Sequence, residues 1–199
     1  ISLGEKALSQ FENQPIIDAS KLLADARVHA ISWNGTSSGW LGFDADKKLC
    51  KEITEETGIP ASTSVLALNE IFEKTGVKRF GLVTPYLDEI QEKVIETYAS
   101  EGFECVSERH LRDKGNFSYS EVSEELIANM VREVAKDKPE AITIFCTNLH
   151  GARIVDELEK ETGIPIYDTV STSVWKAMKQ AGADPTLVKG WGRLFDEIG

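Results

Sequence analysis

A chain of 199 residues, 41% hydrophobic and 28% charged, is composed like an ordinary soluble globular protein and can bury one large core or two small lobes. Its formal net charge of −11, with no basic stripe, excludes nucleic acid as a partner; a small anionic substrate stays open, because a site's local field can be positive on an acidic protein. No apolar stretch is long enough to span a membrane, and Ile1-Ser2-Leu3 does not open a signal peptide.

In chain order, short β-branched runs alternate with longer amphipathic segments, which predicts an α/β protein with parallel sheets flanked by helices. Pro15 and Asp18 open a helix carrying Ile16, Ile17, Leu22 and Leu23 on one side, followed by a strand over Val28–Trp33. Asp44 and Asp46 precede a helix ending at Gly58, and Ser62-Thr63-Ser64 precedes a helix over Val65–Thr75 that stops at Gly76. A strand over Lys78–Thr84 leads through Pro85 to a helix over Leu87–Ala99, and a strand over Phe103–Ser107 to a crossing loop at Asp113–Phe117. Ser118 and Ser120 begin a long helix up to Lys136, ahead of strands over Ala141–Cys146 and Pro165–Tyr167. The aromatic segment Gly190–Phe195 reads as a tail docked on the core or as a subunit interface in a homo-oligomer.

The chain repeats itself. Glu56-Thr57-Gly58-Ile59-Pro60 recurs as Glu161-Thr162-Gly163-Ile164-Pro165, and Ser62-Thr63-Ser64-Val65 recurs as Ser171-Thr172-Ser173-Val174, each copy running on to a glycine, Gly76 or Gly182. Gly35-Thr36-Ser37 and Cys146-Thr147-Asn148 precede their copies in the same order. One match would be an ordinary helix-stop phrase, but three in one order predict a duplication. Two pseudo-symmetric lobes would then bring both strand-end loops to one cleft, where α/β sheets bind ligands. The expected division is residues 1–80 with 168–199 as the first lobe and 81–167 as the second.

Cys146 ends an apolar strand and is followed by small polar residues, a place where backbone N–H groups and a helix start favour anions and ease ionisation of a thiol. Cys50, on a helix's apolar face, and Cys105, inside a strand, read as small buried hydrophobes. Three cysteines far apart, with no Cys-x-x-Cys, fit a reducing cytoplasm, and His29, His110 and His150 lack metal-ligand spacing. No Gly-x-Gly-x-x-Gly or Walker pattern supports a nucleotide cofactor. Thr36, Ser37, Thr147 and Asn148 offer short hydrogen-bonding side chains beside backbone amides, as helix caps, as ligand contacts or as both. Tyr86, at a third strand end, reads equally as a packing residue or as a hydroxyl reaching the cleft.

These residues resemble the aspartate/glutamate racemase superfamily and, within it, the arylmalonate decarboxylase and maleate cis–trans isomerase branch. The resemblance runs from about Ser20 onward and rests on Gly35-Thr36-Ser37, Glu56–Pro60, Leu82-Val83-Thr84-Pro85-Tyr86, Cys146-Thr147-Asn148-Leu149 and Gly190–Phe195. It implies two pseudo-symmetric lobes, an active site in the cleft, and neither cofactor nor metal. It further implies a pair of positions for acid–base cysteines, matched here by Gly35 and Cys146; glycine at the first is the decarboxylase pattern, whereas Cys-Thr-Asn-Leu is phrased like the isomerases. The family's usual first strand and polar loop have no counterpart ahead of Ile1-Ser2-Leu3-Gly4, so that segment is expected to be missing from the sequence. The expected activity is decarboxylation of a malonate-like dicarboxylic acid, with Cys146 as proton donor and Gly35, Thr36, Ser37, Tyr86, Thr147 and Asn148 as the substrate-binding oxyanion hole. The alternatives are a single-cysteine isomerase of the maleate or racemase type, and an inert protein that binds small carboxylates.

Overall fold

The computed structural model describes residues 13–199; the expectations placed on Ile1-Ser2-Leu3-Gly4 lie outside them. Two parallel sheets organise the chain. The smaller pairs β1 (Ile31–Trp33) with β2 (Ala61–Thr63), and the larger runs β4-β3-β5-β6, with β3 Arg79–Thr84, β4 Glu104–His110, β5 Ala141–Ile144 and β6 Ile166–Asp168. Helices α1 (Asn13–Asp25) and α2 (Ser38–Leu41) flank β1, and α3 (Phe43–Thr57) leads to β2. The remaining helices are α4 (Ser64–Thr75), α5 (Asp88–Ser100), α6 (Glu124–Ala135), α7 (Val155–Thr162), α8 (Thr169–Gln180) and α9 (Arg193–Glu197). The α/β architecture with parallel sheets is the predicted one.

The local signals act as expected in most places. All of β5 is buried, and so is β3 beyond Arg79, because helices cover both faces of the sheet; such strands need apolar side chains on both sides. The predicted long helix from Ser118 is instead a 3-10 turn (Ser118–Glu121) followed by α6, because Ser123 is the residue whose hydroxyl accepts the Leu126 N–H at the true helix start. Ser62-Thr63-Ser64 overlaps the short strand β2 (Ala61–Thr63) that periodicity missed. Gly190–Phe195 docks on the core through buried Leu194 and Phe195, and the Glu159 carboxylate accepts the Arg193 N–H at 2.7 Å.

The two Glu-Thr-Gly-Ile-Pro copies are built alike down to individual bonds. Thr57 and Thr162 each donate to a carbonyl four residues back at 2.7 Å and accept the N–H two residues on at 3.2 Å. Each helix then closes on a left-handed glycine, Gly58 (φ 70°) and Gly163 (φ 73°). The Ser-Thr-Ser-Val copies do not superpose in the same way. Ser62-Thr63-Ser64 spans the β2–α4 junction, whereas Ser171-Thr172-Ser173 lies inside the first turns of α8. The positional equivalent of Thr63, which caps α4, is therefore Asp168, which caps α8. Both small-residue stripes are buried and meet in the seam between α4 and α8, where Thr172 Oγ1 donates to the Ser64 carbonyl at 2.9 Å.

One large apolar core surrounds Phe72, Phe80, Tyr98, Phe145 and Trp175, and a smaller one joins Ile17, Ile31, Leu49 and Ile53 beside β1. The large core reaches the smaller sheet's side through α2, where Gly39 faces Phe145. A Cβ on Gly39 would lie 2.6 Å from Phe145 Cζ. Gly39→Ala is expected to lower stability by about 1–3 kcal/mol, since overpacking forces the ring or α2 to shift. Urea denaturation checks it: the midpoint should fall with the slope unchanged.

Candidate functional site

The β1–α2 junction and the β5–α7 junction open onto one cavity of about 230 Å³, which Tyr86, just beyond β3, also lines. All seven residues singled out in the sequence, Gly35, Thr36, Ser37, Tyr86, Cys146, Thr147 and Asn148, line this cavity. Trp33, Asn34, Trp40 and Asn116 complete the lining and were not singled out. Trp33 and Asn34 directly precede Gly35, so the flank of the motif was the available signal. Asn116 comes from the crossing loop; Asn148 Nδ2 donates to its side-chain oxygen at 2.8 Å and to its carbonyl at 3.2 Å. Among the described residues that line it, none is Lys, Arg or His. A wider groove of about 760 Å³ lies between α1 and α3, but its Lys21 and Glu56 are already paired at 2.8 Å.

Tyr86 connects the two halves of the cavity. Its hydroxyl shares a hydrogen bond with Thr36 Oγ1 at 2.7 Å, and it acts on the Cys146 thiol by lowering its pKa. The ring is 1% exposed and packs edge-on against Trp40 and Tyr119, with centroids 5.3 and 5.9 Å away. Burial raises its pKa well above the ordinary phenol value, and the thiol's charge adds to this, so the hydroxyl stays protonated as a donor.

The loop hydroxyls are not helix caps. Thr36 is committed to Tyr86, Ser37 makes no side-chain cap bond, and Ser38 donates to the buried Asp46 carboxylate at 2.7 Å. The Ser37 N–H, at the start of α2, has no backbone acceptor among the described residues. Gly35 has a specific steric reason to be glycine: a Cβ there would stand 2.6 Å from Trp33 Nε1 and 2.8 Å from Cε2. The indole fills the place from which a side chain at position 35 would enter the cavity.

Cys146 is 4% exposed. Burial pushes its pKa up, and the Asp168 carboxylate adds to the rise, while the Asn148 N–H, the Tyr86 hydroxyl and the Leu149 N–H pull it down. The expectation of a readily ionised thiol is thus corrected. A 3-10 turn at Ala152–Ile154 intervenes before α7 begins at Val155, so that helix's dipole does not reach the sulfur, and burial outweighs the local amides. Cys50 and Cys105, half-buried, are pushed up to about 12 by the same effect. Among the described residues no cluster of His, Cys, Asp and Glu could hold a metal ion, and no helix is long and apolar enough to cross a membrane.

Comparison with known proteins finds arylmalonate decarboxylases and maleate isomerases. A family model described as arylmalonate decarboxylase matches residues 4–195. Arylmalonate decarboxylase of Bordetella bronchiseptica is 26% identical over 187 residues, covering 92% of this chain and 78% of that protein. Maleate isomerase of Nocardia farcinica is 27% identical over 134 residues, covering 67% of this chain and 53% of that one. A crystal structure of arylmalonate decarboxylase superposes with a TM-score of 0.84 at 25% identity, covering 98% of this chain and 85% of that chain. A cysteine-to-serine mutant of Nocardia farcinica maleate cis–trans isomerase, with a covalently bound succinylcysteine intermediate, reaches a TM-score of 0.89 at 20% identity over 100% of this chain and 83% of that chain.

One further carboxyl lies next to this site. Asp168 is fully buried, and burial lifts its pKa to about 7, against the opposing pull of two backbone N–H groups. An unfolded Asp titrates near ~3.9, so the folded state holds this proton more tightly. Its stabilising contribution is complete below about pH 4 and is lost as the pH rises to about 7, a change of roughly 4 kcal/mol. Asp168→Asn, which keeps the capping oxygen, is expected to lose less stability than the parent between mildly acidic and mildly alkaline pH. Paired urea denaturations at the two pH values check it; equal losses in both proteins would refute the assignment.

Proposed function

This chain belongs to the arylmalonate decarboxylase family, and from that premise we propose that it decarboxylates a malonate-like dicarboxylic acid without a cofactor. The observation that carries the reading is the asymmetry of the cavity: a thiol at Cys146 and, at Gly35, a glycine whose side-chain space is taken by Trp33. Two-base racemisation needs an acid or base on each face of the reacting carbon, and position 35 supplies none. Decarboxylation needs one proton donor. In this reading residues 1–80 with 168–199 form one lobe and 81–167 the other.

The C–C bond to one carboxylate breaks, CO2 departs, and the electron pair stays on the substrate as an enediolate. The Ser37 hydroxyl, whichever hydroxyl of the Thr36–Tyr86 pair is not donating to the other, and N–H groups near Ser37 and Thr147 stabilise that charge, each such donor being worth about 3–4 kcal/mol in the transition state. The Cys146 S–H then delivers its proton to carbon, and the thiolate left behind takes a proton from water. A thiol whose pKa is raised by burial is well matched to this step, because it arrives protonated. Asn148 completes the substrate's surroundings.

A second reading, isomerisation of a maleate-like diacid with Cys146 as nucleophile, is favoured by the Cys146-Thr147-Asn148-Leu149 phrase and by the likeness to maleate isomerase. It requires a thiolate, which burial disfavours here.

Incubation with arylmalonates and with maleate in D2O separates the two. Decarboxylation releases CO2 and leaves one deuterium on the product carbon; fumarate from maleate without CO2 would overturn it. Cys146→Ala is expected to lower kcat by about 10²–10⁴, and Tyr86→Phe by about 10²–10³, in steady-state assays of whichever diacid turns over. Full turnover by Cys146→Ala would refute the proton-donor role.

A further inference from the structure

Asp168 does more than a helix cap requires. Its Oδ1 accepts the Val170 N–H at 2.9 Å and the Ser171 N–H at 3.2 Å, which completes the cap of α8. Its Oδ2 is buried with no hydrogen-bond partner among the described residues. In the first half of the repeat the same place is taken by Thr63, whose neutral hydroxyl caps α4 with a single bond at 3.1 Å. Capping therefore does not explain a carboxyl here, and a buried polar atom left without a partner costs stability.

The leftover oxygen lies against the loop that carries the thiol. β6 pairs with β5 so that Asp168 sits opposite Ile144, two residues before Cys146. On the far side of the loop, Gly151 approaches so closely that a Cβ on it would stand 3.0 Å from Asp168 Oδ2 and 2.7 Å from Ile144 Cδ1. The carboxyl is thus enclosed between strand β5, Gly151 and the start of α8. Thr169, Val170 and Ser171 bring no charge to it, and His150 and Arg153, both exposed, do not bond it. The titratable groups acting on the thiol from the other side are the Tyr86 and Tyr119 phenols.

We propose that Asp168 is a positioning residue for Cys146: its enclosed carboxyl, half tied to α8 and half left over against the Cys146–Gly151 loop, controls by its charge how firmly the thiol holds its proton. When Asp168 is ionised, its negative charge opposes thiolate formation and keeps the sulfur in its S–H form. When it is neutral that brake is released. No proton passes between the two groups; the coupling acts through a medium of low dielectric, where a like charge is felt strongly.

The test is the titration of Cys146 in the intact chain, followed by thiolate absorbance and read as the difference from a Cys146→Ser variant in the same background, so that Cys50 and Cys105 cancel. Asp168→Asn retains the capping oxygen and is expected to move the Cys146 midpoint down by about one pH unit. Asp168→Thr, which copies the cap of the first repeat, should move it the same way and stands in if the Asn variant does not fold. A midpoint unchanged in a folded variant would leave Asp168 as a cap alone and overturn the proposal. The alkaline limb of kcat/KM should shift with the midpoint. That kinetic arm rests on Cys146 being the proton donor, whereas the absorbance arm does not, so an inactive protein would refute the proposed reaction and leave the coupling to be decided by the titration.

Discussion

Everything in the cavity is referred to the hydroxyl of Tyr86. It hydrogen-bonds Thr36, which belongs to the loop after β1, and lines the same cavity as Cys146, which belongs to the loop after β5 and whose pKa it lowers. These two loops come from different sheets, and nothing in either strand fixes the distance between them. A phenol that is 1% exposed and clamped edge-on by Trp40 and Tyr119 does fix it, because a buried aromatic ring has few alternative places to go. The Gly39–Phe145 contact brings α2 and the end of β5 together by close packing on the same side.

Burial then decides the chemical character of the sulfur. A thiol among amides would be an obvious nucleophile if water could reach it. Here the cost of placing charge in an enclosed space exceeds what the Asn148 and Leu149 amides return, and the group is an acid first. The opposite wall acts on the same problem by steric means. Trp33 occupies the approach to Gly35, so the lack of a second thiol is coupled to an indole that would have to move before any side chain could be accommodated.

Much of this was readable along the chain, for reasons that can be named. Strand ends followed by Gly-Thr-Ser or Cys-Thr-Asn are local signals, and in a parallel sheet local position along a strand determines which edge a residue reaches, so all seven residues arrived at one cavity. What could not be read depends on distance through space. Capping, one of the roles left open for Thr36, gives way to a bond with Tyr86, 50 positions away in the chain. Asn116 joins the site because Asn148 reaches across to it, and Asp168 matters through a strand register rather than a motif. The Ser-Thr-Ser-Val repeat looked like one structural unit used twice, yet its copies lie at different points of the strand-to-helix turn, which only the neighbouring Thr-Gly-Ile-Pro bonds reveal.

That no described residue of the lining carries a cationic side chain has a consequence for traffic through the cavity. In the proposed reaction a diacid would cross the field of a chain with a formal charge of −11 and, among the described residues, meet dipoles rather than a fixed counter-ion in the cavity. Loss of CO2 turns a dianion into a monoanion once the carbon is protonated. Screening by dissolved salt relieves the approach of the former more than that of the latter. An ordinary rise in ionic strength therefore narrows the diacid's disadvantage against the monoacid on approach, an effect that owes nothing to the shape of the pocket.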